Sequence, residues 1–284
     1  MANLSEERSE NSSVVVPRLE TELYYLMEQG DKEMLISRLN STRISELLGK
    51  IDTVLIPVGT FEAHGPHASV MTDSIWAEKA CEEVDKFVGD RVFVAPLIPY
   101  GHTLHLKEKP GSLDIPAQVL SDYVFEILKG FFLSWQIKFA VIVNGHHDQI
   151  GALRLAAERA HELGLKIVIL NWWLDPFWSE LKNVAPELEG HAGAAETSMI
   201  WYIGEEYVET ELIPKKPHSF SFNAPIGLDD TFSRKEINSH IWPMAYFGNP
   251  SGASKEIGKA LFEKSVQLII KSIDLLRDDR LIRS

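Results

Sequence analysis

The stretch "FAVIVNGHHDQIGALRLAAERAHELG", residues 139–164, decides how the chain is read. "FAVIVN" is apolar almost throughout and rich in β-branched residues, which is the composition of a strand buried on both faces. From residue 149 onward apolar residues recur at helical spacing, and Gly164 closes the run where a helix needs a left-handed residue. A strand that passes through a short polar turn into a helix is half of a parallel β-α-β unit. The turn itself, "NGHHDQ", carries two histidines and an acid.

The same alternation extends in both directions. "TVLIPV" (53–58) leads to a helix over 74–88, and "RVFVAPLI" (91–98) leads to a helix over 116–135 with Pro116 in its first turn. Val124, Ile127, Leu128 and Phe131 give that helix a buried face, and "KIVIL" (166–170) is a fourth strand. Apolar strands alternating with amphipathic helices predict an α/β protein, a three-layer α/β/α sandwich with a mostly parallel central sheet. Residues 1–52 read as an N-terminal extension, disordered to about residue 15 and helical beyond it through "RLETELYYLMEQG" and "KEMLISRLN". Residues 53–284 read as the main domain, with an irregular segment after Gly204 and a closing helix over 253–276.

Composition narrows the function. At 284 residues, 45% hydrophobic and 24% charged, the chain is long enough to bury a sizeable core. A net charge of -13 repels phosphate backbones and anionic headgroups, so neither nucleic acid nor membrane is an expected partner. The single cysteine, Cys81, excludes an intrachain disulfide and a thiolate zinc site. The first residues lack the basic start and apolar core of a signal peptide, and no apolar run has the length of a bilayer span. A cytoplasmic location is expected on those grounds.

In open α/β sheets ligands bind at the carboxyl ends of the strands. The first strand runs into Glu62, His64, His67 and Asp73; the second into His102 and His105; the third into His146, His147 and Asp148. The fourth runs into Trp172 and Trp173 and, through a longer loop, to His191 and Glu196. Seven of the ten histidines thus follow four strands, whereas His161 lies on a helix and His218 and His240 lie in the irregular segment. Any one such residue is ordinarily a cap or a solvated loop residue. Convergence of three loops on one sheet edge reverses that expectation.

Imidazole nitrogen mixed with carboxylate oxygen is the donor set of zinc, manganese and iron, and a catalytic site needs about three protein ligands per metal with one position open. Glu62, His64, Asp73, His146, Asp148 and Glu196 suffice for two divalent ions if one carboxylate bridges them. Asp73, at the opening of the first helix after the loop, is the candidate bridge. Competing chemistries lack their local requirement, since there is no G-x-S-x-G elbow, P-loop or G-x-G-x-x-G. His102, His105, Trp172 and Trp173 are candidates to line a substrate pocket, although paired aromatics after a strand are as readily plain core.

The segments "IPVGTFEAHGPHASVMTDS", "NGHHDQ" and "GHAGAAETS" resemble the three signature regions of the creatininase family of metal-dependent hydrolases. "YGHTLHLKEKPGSLDI" and "FGNPSGASKEIGKAL" resemble two further family segments, so the likeness runs from about residue 53 to the C-terminus. The resemblance implies one metal on Glu62, Asp73 and His146 and a second on His64 and Asp73. Asp148 stands where creatininases proper have a glutamate ligand, and Glu196 would complete the second site or carry a proton. The resemblance further implies His191 beside the substrate as a proton shuttle, a small-molecule substrate, and assembly into a homo-oligomer, commonly a hexamer. Family members open the ring of creatinine, remove formyl groups from pyrimidine intermediates, or cleave the ring ketone 3-dehydro-scyllo-inosose. The altered "NGHHDQ" turn and the N-terminal extension set this chain apart from creatininase proper. Opening of a cyclic amide or cyclic ketone is therefore the expected reaction, with a formamide deformylase or a non-catalytic metal-containing ligand-binding protein as the alternatives.

Overall fold

The four apolar runs pair side by side. In the computed structural model, which describes residues 34–171, 190–218 and 244–278, β1 (Thr53–Val58), β2 (Phe93–Val94), β3 (Phe139–Asn144) and β4 (Lys166–Asn171) form one sheet in the order β2-β1-β3-β4, every neighbouring pair parallel. Register aligns Val58 with Asn144 and Asn144 with Asn171, so the central strands end level with one another. The described helices are α1 (Ser41–Leu47), α2 (Thr72–Val88), α3 (Ala117–Trp135), α4 (Ile150–Glu162), α5 (Ala194–Ile203) and α6 (Lys255–Arg277).

Alternation along the strands divides the core between the two faces of the sheet. Leu55, Val141 and Val143 pack among residues of α2, α5 and α6, while Val54, Ile56, Ala140 and Ile142 pack among residues of α3 and α4. The result is the three-layer α/β/α arrangement with a parallel sheet.

Differences from the sequence reading have local causes. The strand expected over 91–98 is regular only at Phe93–Val94, because Pro96 and Pro99 have no N–H to give the ladder. It stays attached through Ala95 N donating to Leu55 O and through an isolated bridge between Val58 and Ile98. The helix expected at "KEMLISRLN" is a single 3-10 turn, Ile36–Arg38, because the chain before it lies extended against Val94. Val94 N donates to Met34 O at 3.0 Å, and Met34 N donates to the buried Asp85 carboxylate at 3.0 and 3.2 Å. Residues 34–52 therefore pack in the same unit as the sheet. The expected disordered start and the helix at "RLETELYYLMEQG" lie outside the described residues. None of the described helices is long and apolar enough to cross a membrane.

Candidate metal centre

Two glycines bring the reactive loops together. The N-terminus of α2 is wedged against the ends of β1 and β3: a Cβ on Gly59 would fall 2.3 Å from Ser74 Oγ, and one on Gly145 would fall 2.3 Å from the Asp73 carbonyl oxygen. Any side chain at either position would push α2 away. With glycine there, Asp73 on the first turn of α2 reaches His64 from the loop after β1 and His146 from the turn after β3. Asn144 fixes that turn, its Oδ1 accepting from His146 N at 3.1 Å and Gln149 Nε2 at 2.7 Å, and its Nδ2 donating to Asn171 Oδ1.

Glu62, His64, Asp73 and His146 are all buried. Asp73 Oδ1 lies 3.3 Å from His64 Nε2, and Asp73 Oδ2 lies 2.9 Å from His146 Nδ1. Glu62 Oε2 is 3.4 Å from His146 Nδ1 and 3.6 Å from His191 Nδ1, while Glu196 Oε2 is 3.6 Å from His64 Nε2. Glu196 reaches inward from the first turn of α5, where Ala192 N donates to the same oxygen at 2.6 Å.

Hydrogen bonds settle which nitrogen of two rings carries the proton. His64 Nδ1 sits 2.9 Å from Glu62 O, and His191 Nε2 sits 2.8 Å from Ala63 O. A carbonyl oxygen only accepts, so each of those nitrogens donates, and a neutral ring turns its other nitrogen to the carboxylates as a lone pair. This is how a carbonyl orients a metal-ligating imidazole. His64 Nε2 and His146 Nε2 are buried with no hydrogen-bond partner at proper geometry, an arrangement uncommon in a native interior unless an ion or water completes it. The donor atoms of Glu62–Asp73–His146, of His64–Asp73–Glu196 and of Glu62–His64–His191 each lie within 4.8 Å of one another, so each trio could hold a metal ion. The nitrogen and oxygen donors fit zinc, manganese or iron.

The electrostatics describe a cage that draws in positive charge. Burial opposes protonation of His64 and His146, but Asp73 and Glu62 overcome it and raise His64 to about 9 and His146 to about 10. Burial also opposes ionisation of Asp73, yet the His64 and His146 imidazoles hold its carboxyl well below the usual range. Burial pushes Glu196 up to about 7 and raises Glu62. His191, partly buried and beside His64, is pushed down to about 3 by desolvation and stays neutral.

The remaining candidates sit differently. Asp148 is drawn away from the three trios: its Oδ2 accepts from Leu104 N at 2.8 Å and His105 N at 3.0 Å, its Oδ1 lies 2.5 Å from His105 Nδ1, and His146 Nε2 is 3.9 Å off. The hydrogen bond that His105 donates to Asp148 outweighs burial and raises His105. His102 Nδ1 donates to Asp114 Oδ1 at 2.8 Å and belongs to none of the trios. His67 is a buried supporting residue, its Nε2 being 2.8 Å from Thr197 Oγ1. His147 is exposed, and His161 Nδ1 lies 3.2 Å from Leu165 O at the end of α4. Trp172, Trp173 and His240 lie outside the described residues. Sequence reasoning missed Thr103, a buried residue whose Oγ1 donates to Glu62 Oε1. Its position between His102 and His105 was the only available signal.

A parallel α/β/α fold carrying a buried imidazole and carboxylate cage at the carboxyl edge of its sheet has the makings of a metal-dependent enzyme. The family model described as "Creatininase: Creatinine amidohydrolase" matches residues 37–273, and the chain belongs to the creatininase family of metal-dependent hydrolases. It is 26% identical to the mycofactocin precursor peptide peptidase of Mycobacterium ulcerans, over 84% of this chain and 91% of that one. It is 27% identical to the 3-dehydro-scyllo-inosose hydrolase of Thermotoga maritima, over 76% of this chain and 68% of that one. A mutant creatininase of Zn-Zn type superimposes with a TM-score of 0.71 at 21% identity, covering 86% of this chain and 98% of the other.

Proposed function

We propose that this chain is a dinuclear metal-dependent hydrolase that cleaves an amide, cyclic or peptide-like, in a small substrate. The observation that carries this reading is the placement of Asp73, with one oxygen against His64 and the other against His146. Glu62 and His146 would hold one divalent ion with Asp73, and His64 and Glu196 the other, Asp73 bridging them. When bound, such ions lower the pKa of water from about 15.7 toward about 7 and polarise a carbonyl.

The chain's own residues supply the rest. Glu196 would complete the second site beside His64 or, where it stays off the ion, take and return a proton near neutral pH, since burial in the metal-free cage pushes its carboxyl up to about 7. His191 holds its Nε2 proton on Ala63 O and turns Nδ1 inward beside Glu62 as a lone pair, where it can accept a hydrogen bond from a substrate N–H. Burial of Glu62, His64, Asp73 and His146 excludes bulk water and strengthens each charge interaction. The inosose hydrolase relative supports a second reading, cleavage of a cyclic ketone by the same groups.

Metal analysis combined with a turnover screen tests the proposal. The panel is creatinine, N-formyl amides, short peptides with a free carboxyl terminus, and an inosose-type ketone. Turnover of an amide that is lost on chelation and restored by zinc or manganese is expected. Full activity after complete chelation, or a protein that holds no metal, would overturn the reading.

A further inference from the structure

We propose that Asp148 is a positioning residue in this chain, not a metal ligand, and that it holds His105 so that Nε2 of that ring contacts the substrate at the metal pair. The inference rests on the proposed reading of the centre and adds a substrate-contacting group to it.

The carboxylate of Asp148 is fully engaged elsewhere. It accepts from Leu104 N at 2.8 Å, from His105 N at 3.0 Å and from His105 Nδ1 at 2.5 Å, and its side chain is 6% exposed. Swinging toward a metal would leave two backbone N–H groups and an imidazole without their acceptor. None of the three trios able to hold a metal ion includes it. Asp148 thus binds the turn after β3 to the loop after β2.

His105 is correspondingly fixed. A carboxylate only accepts, so the Nδ1 facing it carries the proton, and Nε2 is the nitrogen left for another partner. The ring is 17% exposed, and the Asp148 carboxylate that holds it comes within 3.9 Å of Nε2 of His146, a candidate metal ligand. Two residues earlier Thr103 donates through Oγ1 to Glu62 and through its backbone N to Asp114 Oδ1, while His102 Nδ1 donates to the same Asp114 oxygen. The loop that carries His105 is therefore tied to a candidate metal ligand as well as to Asp148. A ring set in this way accepts a hydrogen bond from an N–H or O–H of a substrate, which a primary or secondary amide supplies.

The test uses the full-length protein loaded with cobalt(II) and acetohydroxamate as probe, since acetohydroxamate carries an N–H beside its metal-chelating oxygens. Asp148→Asn and His105→Ala are each expected to keep the wild-type cobalt content and visible spectrum. Each should bind the probe about tenfold more weakly, the loss of one ordinary hydrogen bond. The double variant should be no weaker than either single one, and His105→Gln, whose amide oxygen can accept, should recover part of the loss. Loss of cobalt or an altered spectrum in Asp148→Asn would overturn the proposal, as would wild-type probe binding by both single variants or additive losses in the double variant. Failure of the wild-type protein to take up cobalt would remove the metal reading itself, and is told apart because it shows before any substitution.

Discussion

His146 Nδ1 lies 2.9 Å from Asp73 Oδ2, although one residue follows β3 and the other opens α2. The contact exists because Gly145 lets the Asp73 backbone approach to a distance no side chain would allow. Gly145→Ala is expected to destabilise the fold by about 1–3 kcal/mol, the usual cost of overpacking, and to weaken metal binding with it. Gly151→Ala is the matched control: its Cβ meets nothing within 4 Å on α4, and helix propensity favours alanine by up to about 1 kcal/mol. Urea denaturation and metal analysis of both variants check this, and equal behaviour of the two would count against it.

Asp73→Asn keeps the shape of the side chain and removes its charge. If Asp73 serves both trios that contain it, the variant should lose more than about a hundredfold in affinity for every bound ion, beyond the cost of losing a mere supporting contact. Far-UV circular dichroism should be unchanged. Loss of only one ion per chain would show that Asp73 does not bridge.

Much of this centre was legible in the sequence, for a physical reason. Central parallel strands are continuous apolar runs, so β1 and β3 announce their own ends, and Glu62, His64, Asp73 and His146 stand just beyond them. What a side chain does after leaving the strand depends on partners brought in by the fold. Asp148 and Asp73 look alike in the sequence, yet Asp148 meets His105 from another loop and is drawn aside. Thr103 carries no mark that distinguishes a hydroxyl on a buried carboxylate from one in solvent. Helix α5 also escaped notice, because "AAETSMIWYI" is apolar nearly all round and offers no helical period.

Removal of metal should make stability depend on pH in one direction. In the metal-free protein His64 and His146 are raised to about 9 and about 10, against an ordinary value of 6.5. Below 6.5 the folded and unfolded states both hold these protons, and the stabilisation is fully present. Between 6.5 and about 9 for His64, and between 6.5 and about 10 for His146, only the folded state holds the proton, so stability falls as pH rises, by of order 1 kcal/mol per pH unit for each histidine. Urea midpoints at pH 7, 8 and 9 should therefore drop in chelator and stay nearly level with metal bound. Parallel curves with and without metal would contradict the assignment.

Thr103→Val removes the hydroxyl that donates to Glu62 while keeping the shape of the residue. Loss of such a supporting partner is expected to weaken metal binding by about 10–100-fold. Thr103→Ser should restore it, because serine keeps the donor. Competition titration with a metallochromic chelator measures the change, and a valine variant with wild-type affinity would exclude any role for the hydroxyl.

Asp85 separates stability from the centre. It lies near the opposite end of α2 from Asp73, about 18 Å away at the helical rise of about 1.5 Å per residue. Its buried carboxylate accepts the N–H of Met34, which is itself fully buried. Asp85→Ala would leave that N–H unpaired away from water, a loss of about 1–3 kcal/mol. The segment from Met34 to Leu39 is expected to loosen from Val94, and its amides to exchange faster with solvent. Metal content per folded molecule should stay that of the wild type, because Asp85 is in none of the trios that could hold a metal ion and lies at the far end of α2 from Asp73. A variant that loses metal while keeping its urea midpoint would show that the two ends of α2 are coupled, contrary to this assignment.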